Sequence, residues 1–218
     1  MAESTTFKQF NRFMVAVLFV TLLAGAFKVG LTILCEIYVY SIPIVGGLLQ
    51  SLEIVELSNF IVFTILGFGV GAATTMLPGR ARLRLGAIVL TILTPILLAS
   101  GYMVRYHMWV NDVATQANQP RLEAQQLADT FLANETGHEG SLGFYLYTVE
   151  IPILPLSTAE MEDLSSTQSQ FQSDLTEASG LESNRIKLLF SIVGWGIRAF
   201  YIFIALMSVS VYFYRGLG

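Results

Sequence analysis

Long apolar runs, separated by short polar breaks, dominate the pattern along this chain. Residues 13–35, 54–77, 85–104 and 187–214 are each long enough to cross a hydrocarbon core that takes about 20 helical residues. None alternates with period two, and a backbone in lipid must satisfy its amides within its own segment, so the pattern predicts helices and not the strands of a barrel. The fold class expected is an all-α integral membrane protein, with four transmembrane helices and a small, mostly helical exoplasmic domain between the third and fourth. The remaining segments are an N-terminal tail (1–12), a connector (36–53), a basic turn (78–84), the domain itself (105–186) and a short C-terminal tail (215–218).

The first run resembles a signal peptide, with Lys8 and Arg12 ahead of it and Ala24, Gly25 and Ala26 in place of a cleavage site. Its apolar pattern continues through Ile33 and Leu34, which predicts an uncleaved anchor that stays as the first span. Residues 37–52 are apolar too, yet Pro43, Gly46 and Gly47 lie between Glu36 and Glu53, so a second full crossing is not expected there. That stretch reads as an interfacial connector or a short re-entrant element, with Tyr38 and Tyr40 at headgroup depth.

The segment between the last two runs carries its own helical signals. Val110, Val113, Ala114 and Ala117 prolong the third span beyond the bilayer until Asn118, Gln119 and Pro120 end it. Ala124, Leu127, Ala128, Phe131 and Leu132 form the stripe of an amphipathic helix that gives way to turn-forming residues over 134–143. Residues 144–151, aromatic and β-branched between a glycine and Pro152, predict a short strand. Ser157 and Glu160 then make a capping box, followed by a stripe of Met161, Leu164, Phe171 and Leu175 that could pack within the chain or dock a partner helix. Gly180 is expected to bend this last helix before the fourth span. Asn134-Glu135-Thr136 forms a glycosylation sequon, a pattern too frequent by chance to be given a role.

Charge orients the chain. Lys8, Arg12, Arg80, Arg82, Arg84 and Arg215 fall on one side of the four spans, and the positive-inside rule makes that side cytoplasmic, with both termini there. The 105–186 segment carries twelve acidic residues against Arg105, Arg121 and Arg185, so the exoplasmic face is acidic and would repel nucleic acid. Composition agrees with the class: 54% of residues are hydrophobic and only 13% charged, with a mean hydropathy of +0.62. Cys35 is the sole cysteine, which excludes an intrachain disulfide. The expected location is an inner or plasma membrane of a bacterium.

Candidate chemistry is confined to charge inside the spans, where an ionised group costs at least about 2.5 to 3.5 kcal/mol. Lys28 lies eight residues below Glu36, about 12 Å along a helix, and Arg198 sits either mid-span or near Trp195 at the outer interface, depending on register. Glu36, Glu53 and Glu56 cluster at the outer ends of the first two spans. The cations can snorkel and pair with these glutamates, meet an acid on another subunit, or line an anion or proton pathway. Gly67 and Gly71 form a GxxxG extended by Gly69 and Ala73, a small-residue face for close helix approach. Its partner is the first span through Ala24 and Gly25, the fourth through Gly194 and Gly196, or a neighbouring subunit. Pro95 predicts a kink in the third span.

His107 and His138 are the only histidines and neither is deep in a span, so neither a metal nor a haem is expected, and no cofactor is assigned. The glycines of residues 67–71 lie inside an apolar helix, where they cannot present amides to a nucleotide. Nor is there a credible nucleophile set. These exclusions lead to a non-enzymatic reading: a subunit of a multi-subunit membrane complex, partnered by other integral membrane subunits and lipid, with a homo-oligomer as a further possibility. A small channel or transporter component built on Lys28 and Arg198, and a membrane sensor or receptor subunit, are the alternatives.

Overall fold

The structure, a computed structural model, describes residues 2–39, 53–150, 154–161, 163 and 183–218. Helix α1 (Ala2–Leu34) ends in a π-helical turn (Cys35–Val39), and a 3-10 turn (Ile54–Ser58) leads into α2 (Asn59–Thr74). Then come α3 (Gly79–Ala117), α4 (Arg121–Thr136), α5 (Gly140–Glu150) and α6 (Ser183–Gly216). Among the described residues, four stretches are long and apolar enough to cross a membrane: Phe7–Val39, Ile54–Thr74, Ala81–Ala117 and Ser191–Gly216. The chain is therefore a multi-pass helical protein. Residues 40–52 of the connector lie outside the described residues, as do Leu164, Phe171, Leu175 and Gly180.

The helices form two compact units. The first comprises Met1–Gly101 with Phe200–Gly218. Half of the α2 span is buried, against 17 to 28% of the others, so α2 is the central helix of this unit. Phe13, Val17 and Ala24 of α1, Leu90 and Leu97 of α3, and Ala205, Val209 and Phe213 of α6 join Val62, Phe63, Leu66 and Val70 of α2 in one core. Large apolar side chains such as Leu18, Phe19 and Leu22 of α1 point outward, as helices in lipid require. Val20 of α1 meets Gly69 of α2 while Lys28 meets Asn59, so the two helices are antiparallel. Gly25 faces Leu97 and α3 runs parallel to α1; Gly67 and Gly71 face Val209 and Phe213 in turn, so residue numbers rise in step and α6 runs parallel to α2.

Two segment boundaries differ from those the pattern predicts. The turn after α2 is confined to residues 75–78, and Arg82 and Arg84 already belong to α3, because Pro78 supplies the break and its carbonyl accepts the first bond from the Ala81 amide. The second span begins not as an α-helix at residue 54 but as a 3-10 turn preceded by Glu53 in the left-handed region (φ 47°).

The second unit is Tyr102–Ala199. Tyr106, Trp109, Val110 and Val113 of α3 pack with Ala124, Ala128, Phe131 and Leu132 of α4, the stripes expected of both helices. Asn118 takes a positive φ of 50° and Pro120 follows, ending α3 where its polar breakers predict. Gly137, also left-handed, ends α4. Of the strand expected over 144–151, residues 144–150 are instead helical and residue 151 lies outside the described residues: α5 covers Gly140–Glu150. Local β propensity loses here because only a helical turn puts Phe144 and Tyr147 together into the aromatic core, against Trp109 and Phe131 respectively. Thr148, β-branched, bonds its hydroxyl back to the Phe144 carbonyl at 2.8 Å and fits the helix. Burial, and then the charge of nearby Glu135, raise the Tyr147 phenol well above its ordinary range, so it stays protonated in this core.

The capping box forms with a one-residue offset. The Glu160 amide donates to Ser157 Oγ at 3.3 Å, and Glu160 Oε2 accepts from the Leu156 amide at 2.7 Å. Met161, the first residue of the expected docking stripe, is buried in the aromatic core. Trp109 Nε1 donates to the Pro155 carbonyl at 2.8 Å and holds this segment on α3. Asp129 joins α4 to its neighbours: Oδ1 accepts from Tyr106 Oη at 2.6 Å and from the Gly140 amide at 3.1 Å. Asp129→Ala is expected to lower stability by about 1 to 3 kcal/mol, since two donors lose their acceptor. Asp129→Asn, which keeps an acceptor oxygen, should lose less; thermal unfolding of both variants in detergent checks this.

Candidate functional site

The first unit holds a charged cluster among its apolar helices. Lys28 comes from the last third of α1, Glu56 from the 3-10 turn and Asn59 from the first turn of α2, all 2% exposed or less. Glu56 and Asn59 stand three residues apart on one face of the helical segment, so one lysine reaches both. Lys28 Nζ donates to Asn59 Oδ1 at 2.8 Å and lies 3.4 Å from Glu56 Oε2 and from the Leu98 carbonyl. Asn59 Nδ2 donates to the same Glu56 oxygen at 2.7 Å. The asparagine is thus a bridge whose amide orientation is set at both ends. Thr32, one turn along α1, returns its hydroxyl to the Lys28 carbonyl at 3.0 Å. The cluster ties α1, α2 and α3 together at one level.

Glu56 Oε1 is buried and makes no hydrogen bond among the described residues. It faces Gly101 of α3: a Cβ added there would lie 3.3 Å from Oε1 and 2.9 Å from Lys28 Cε. Glycine at 101 therefore leaves the space beside the free carboxylate oxygen. Glu36, the other acid near the end of the first span, sits half-buried in the π-helical turn.

The glycine face of α2 is occupied from within the chain. A Cβ on Gly67 would lie 2.5 Å from the Val209 carbonyl oxygen, and one on Gly71 would collide with the Phe213 carbonyl and stand 3.0 Å from Gly216 Cα. Gly69 points the other way, toward Val20 of α1, and Ala73 is buried in the core. The partners are therefore Val209, Phe213 and Gly216 rather than Gly194 and Gly196, and Val20 rather than Ala24 and Gly25. Gly194 packs on the Val149 carbonyl at the end of α5, and Gly25 packs on Leu97.

In the second unit, Arg198 is 2% exposed and inserts between aromatic rings. Its guanidinium lies 4.2 Å from the centroid of Tyr145 and 5.0 Å from that of Tyr102. Nη1 donates to the Tyr145 carbonyl, and Nη2 to Thr148 Oγ1 at 2.8 Å. A cation here also meets the negative end of α5. Arg198→Lys should cost about 1 to 2 kcal/mol, because an ammonium cannot stack in the cage and donate as a fork at once. The loss would appear as a lower unfolding midpoint.

Sequence reasoning singled out Lys28, Glu56 and Arg198 but passed over Asn59, Leu98, Gly101, Tyr102 and Tyr145. Asn59 was detectable, as a polar residue three positions after Glu56 inside an apolar run. The backbone carbonyl of Leu98 and the rings around Arg198 leave no such mark, because their role depends on which helices meet. Compared with known protein families, curated proteins and solved structures, the chain matches none.

Proposed function

We propose that this chain is a non-catalytic subunit of a multi-subunit membrane complex. The observation that carries the reading is the use of its intramembrane cations. Lys28 and Arg198 both bond to other helices of the same chain, which suits a role in fixing a rigid bundle more than one in binding a mobile substrate. With the glycine face of α2 also occupied, partner contacts fall to the outward apolar side chains, such as Phe19 and Leu22 of α1 and Phe200 and Phe203 of α6.

The orientation proposed places both termini in the cytoplasm of a bacterial cell and residues 105–186, as an acidic cap, outside its plasma membrane. Arg12, Arg82, Arg84 and Arg215 lie toward the same end of the first unit, as the antiparallel helix order requires, and the positive-inside rule makes that end cytoplasmic. Lys28 stands 16 residues from Arg12, about 24 Å along α1, and Arg198 stands 17 from Arg215, about 26 Å along α6. In a core about 30 Å thick both cations belong to the outer part, which favours the interfacial register for Arg198.

Purification from native membranes in mild detergent tests the reading. Other integral membrane proteins should co-purify at fixed stoichiometry and crosslink to α1 or α6; a lone monomer or homo-oligomer would sink it. A second reading, a channel or transporter component, is favoured by Glu56 Oε1, a buried carboxylate oxygen left open beside a cation. Ion flux in liposomes made from the purified chain tests that one.

A further inference from the structure

We infer that the basic end of the first unit binds the headgroup of an anionic phospholipid, with Arg82, Arg84 and Arg215 taking its phosphate and Arg12 bordering the site. Packing brings these residues together from three helices. A Cβ added to Gly86 of α3 would lie 2.5 Å from the Phe213 ring of α6. Arg82 stands four residues before Gly86, about 6 Å along α3, and Arg215 stands two residues after Phe213, about 3 Å along α6. The two helices are antiparallel, so both displacements lead to the same end of the bundle. On α1, Arg12 lies eight residues before Val20, as Leu77 lies eight after Gly69; Val20 meets Gly69, which brings Arg12 level with Leu77. Arg82 Nε donates to the Leu77 carbonyl at 2.9 Å, which fixes the root of this half-buried guanidinium and leaves its Nη groups as a fork. Such a fork matches two oxygens of a phosphate. The Arg215 guanidinium is steadied over the Tyr212 ring, 5.1 Å from its centroid.

No side chain cancels this charge. Among the described residues none of Lys8, Arg12, Arg82, Arg84 and Arg215 forms an ion pair, and the pair of Lys28 with Glu56 belongs to the opposite end. The sequence supplies Glu3 as the sole acidic side chain of the basic end. Like charges gathered in this way repel one another until an anion joins them.

The surroundings of the cations select a lipid as that anion. Phe7, 73% exposed, adjoins Lys8; Leu83, 53% exposed, lies between Arg82 and Arg84; Tyr214, 65% exposed, adjoins Arg215. A dissolved phosphate or an acidic segment of a soluble protein would leave these apolar groups in water. A phospholipid satisfies both kinds of surface at once, its phosphate on the guanidinium groups and its acyl chains on the apolar side chains.

The inference is independent of the subunit and transport readings, and of which face is cytoplasmic, because binding is measured on the purified chain. The experiment is native mass spectrometry of the full chain in detergent, titrated with phosphatidylglycerol or with phosphatidylcholine of identical acyl chains. Phosphatidylglycerol should bind about tenfold more tightly, since each basic residue near an anionic headgroup contributes about fivefold. That preference should fade as ammonium acetate is raised from about 0.05 M to about 0.5 M, where charges are screened within a few Å. Replacing Arg82, Arg84 and Arg215 together by glutamine should remove the preference and leave phosphatidylcholine binding unchanged, while replacing all three by lysine should retain part of it. Arg121→Gln, a loss of charge in the other unit, should change nothing. Phe7→Ser with Phe10→Ser should weaken both lipids alike. Equal binding of the two lipids by the unmodified chain overturns the inference, whether or not any variant folds, and so does a preference that survives the triple glutamine variant. Displacement of phosphatidylglycerol by inorganic phosphate or by polyglutamate also overturns it, assigning the patch to a soluble anion or to an acidic protein segment instead.

Discussion

Glu56→Ala should destabilise the full chain by about 3 to 5 kcal/mol, the usual result of stripping one partner from a buried ion pair. Lys28 would keep its charge in an apolar bundle with only Asn59 Oδ1 and the Leu98 carbonyl to receive it. Asn59 Nδ2 would also lose its acceptor. The large term is the stranded charge rather than the strength of the pair, and this makes a sharper expectation. Replacing both members, with Lys28→Met and Glu56→Leu together, should recover most of the loss, because desolvating the two ions had offset much of their attraction. Unfolding of the two single variants and the double variant in one detergent gives the coupling directly. Equal losses that simply add would mean that the two groups act independently, contrary to their geometry.

Gly71→Val is expected to cost about 3 kcal/mol, the upper end of the overpacking penalty. The atoms that the new side chain meets are backbone, the Phe213 carbonyl and Gly216, and they cannot rotate away as a side-chain tip would. Relief requires α6 to separate from α2, which would also loosen the contact at Gly67. Gly196→Ala provides the comparison. Nothing lies within 4 Å of its added Cβ, so the substitution should be neutral or stabilise by about 0.5 to 1 kcal/mol through helix propensity. If both substitutions proved equally harmless, close approach of α6 to α2 would not be a source of stability.

Elements whose signal is local were legible. The four spans follow from apolar length, the end of α3 from Asn118 and Pro120, and the buried stripe of α4 from its 3,4 spacing, whereas the turn expected over 134–143 shrinks to the residues between Thr136 and Gly140. In each case the residues that carry the signal also carry the energy, so no distant contact is needed to read it. Lys28 and Glu56 stood out for the same reason, since any charge in such a run is costly wherever it lies.

Partnership was decided only in three dimensions. A lysine in an apolar helix demands a counterpart, but chain order does not say that Glu56 and Asn59 stand at its level; the antiparallel packing of α1 on α2 does. The glycines of α2 permit close approach by any helix, and the path of α6 selected Val209, Phe213 and Gly216. Residues 144–150 show the opposite limit, where aromatic and β-branched side chains preferred an extended chain and the core around Trp109 and Phe131 imposed α5. The sequence by itself determined membrane insertion, because transfer of apolar segments from water is a sum over residues. The tertiary structure decided which buried polar groups meet, because a hydrogen bond exists only where two helices bring its atoms within reach.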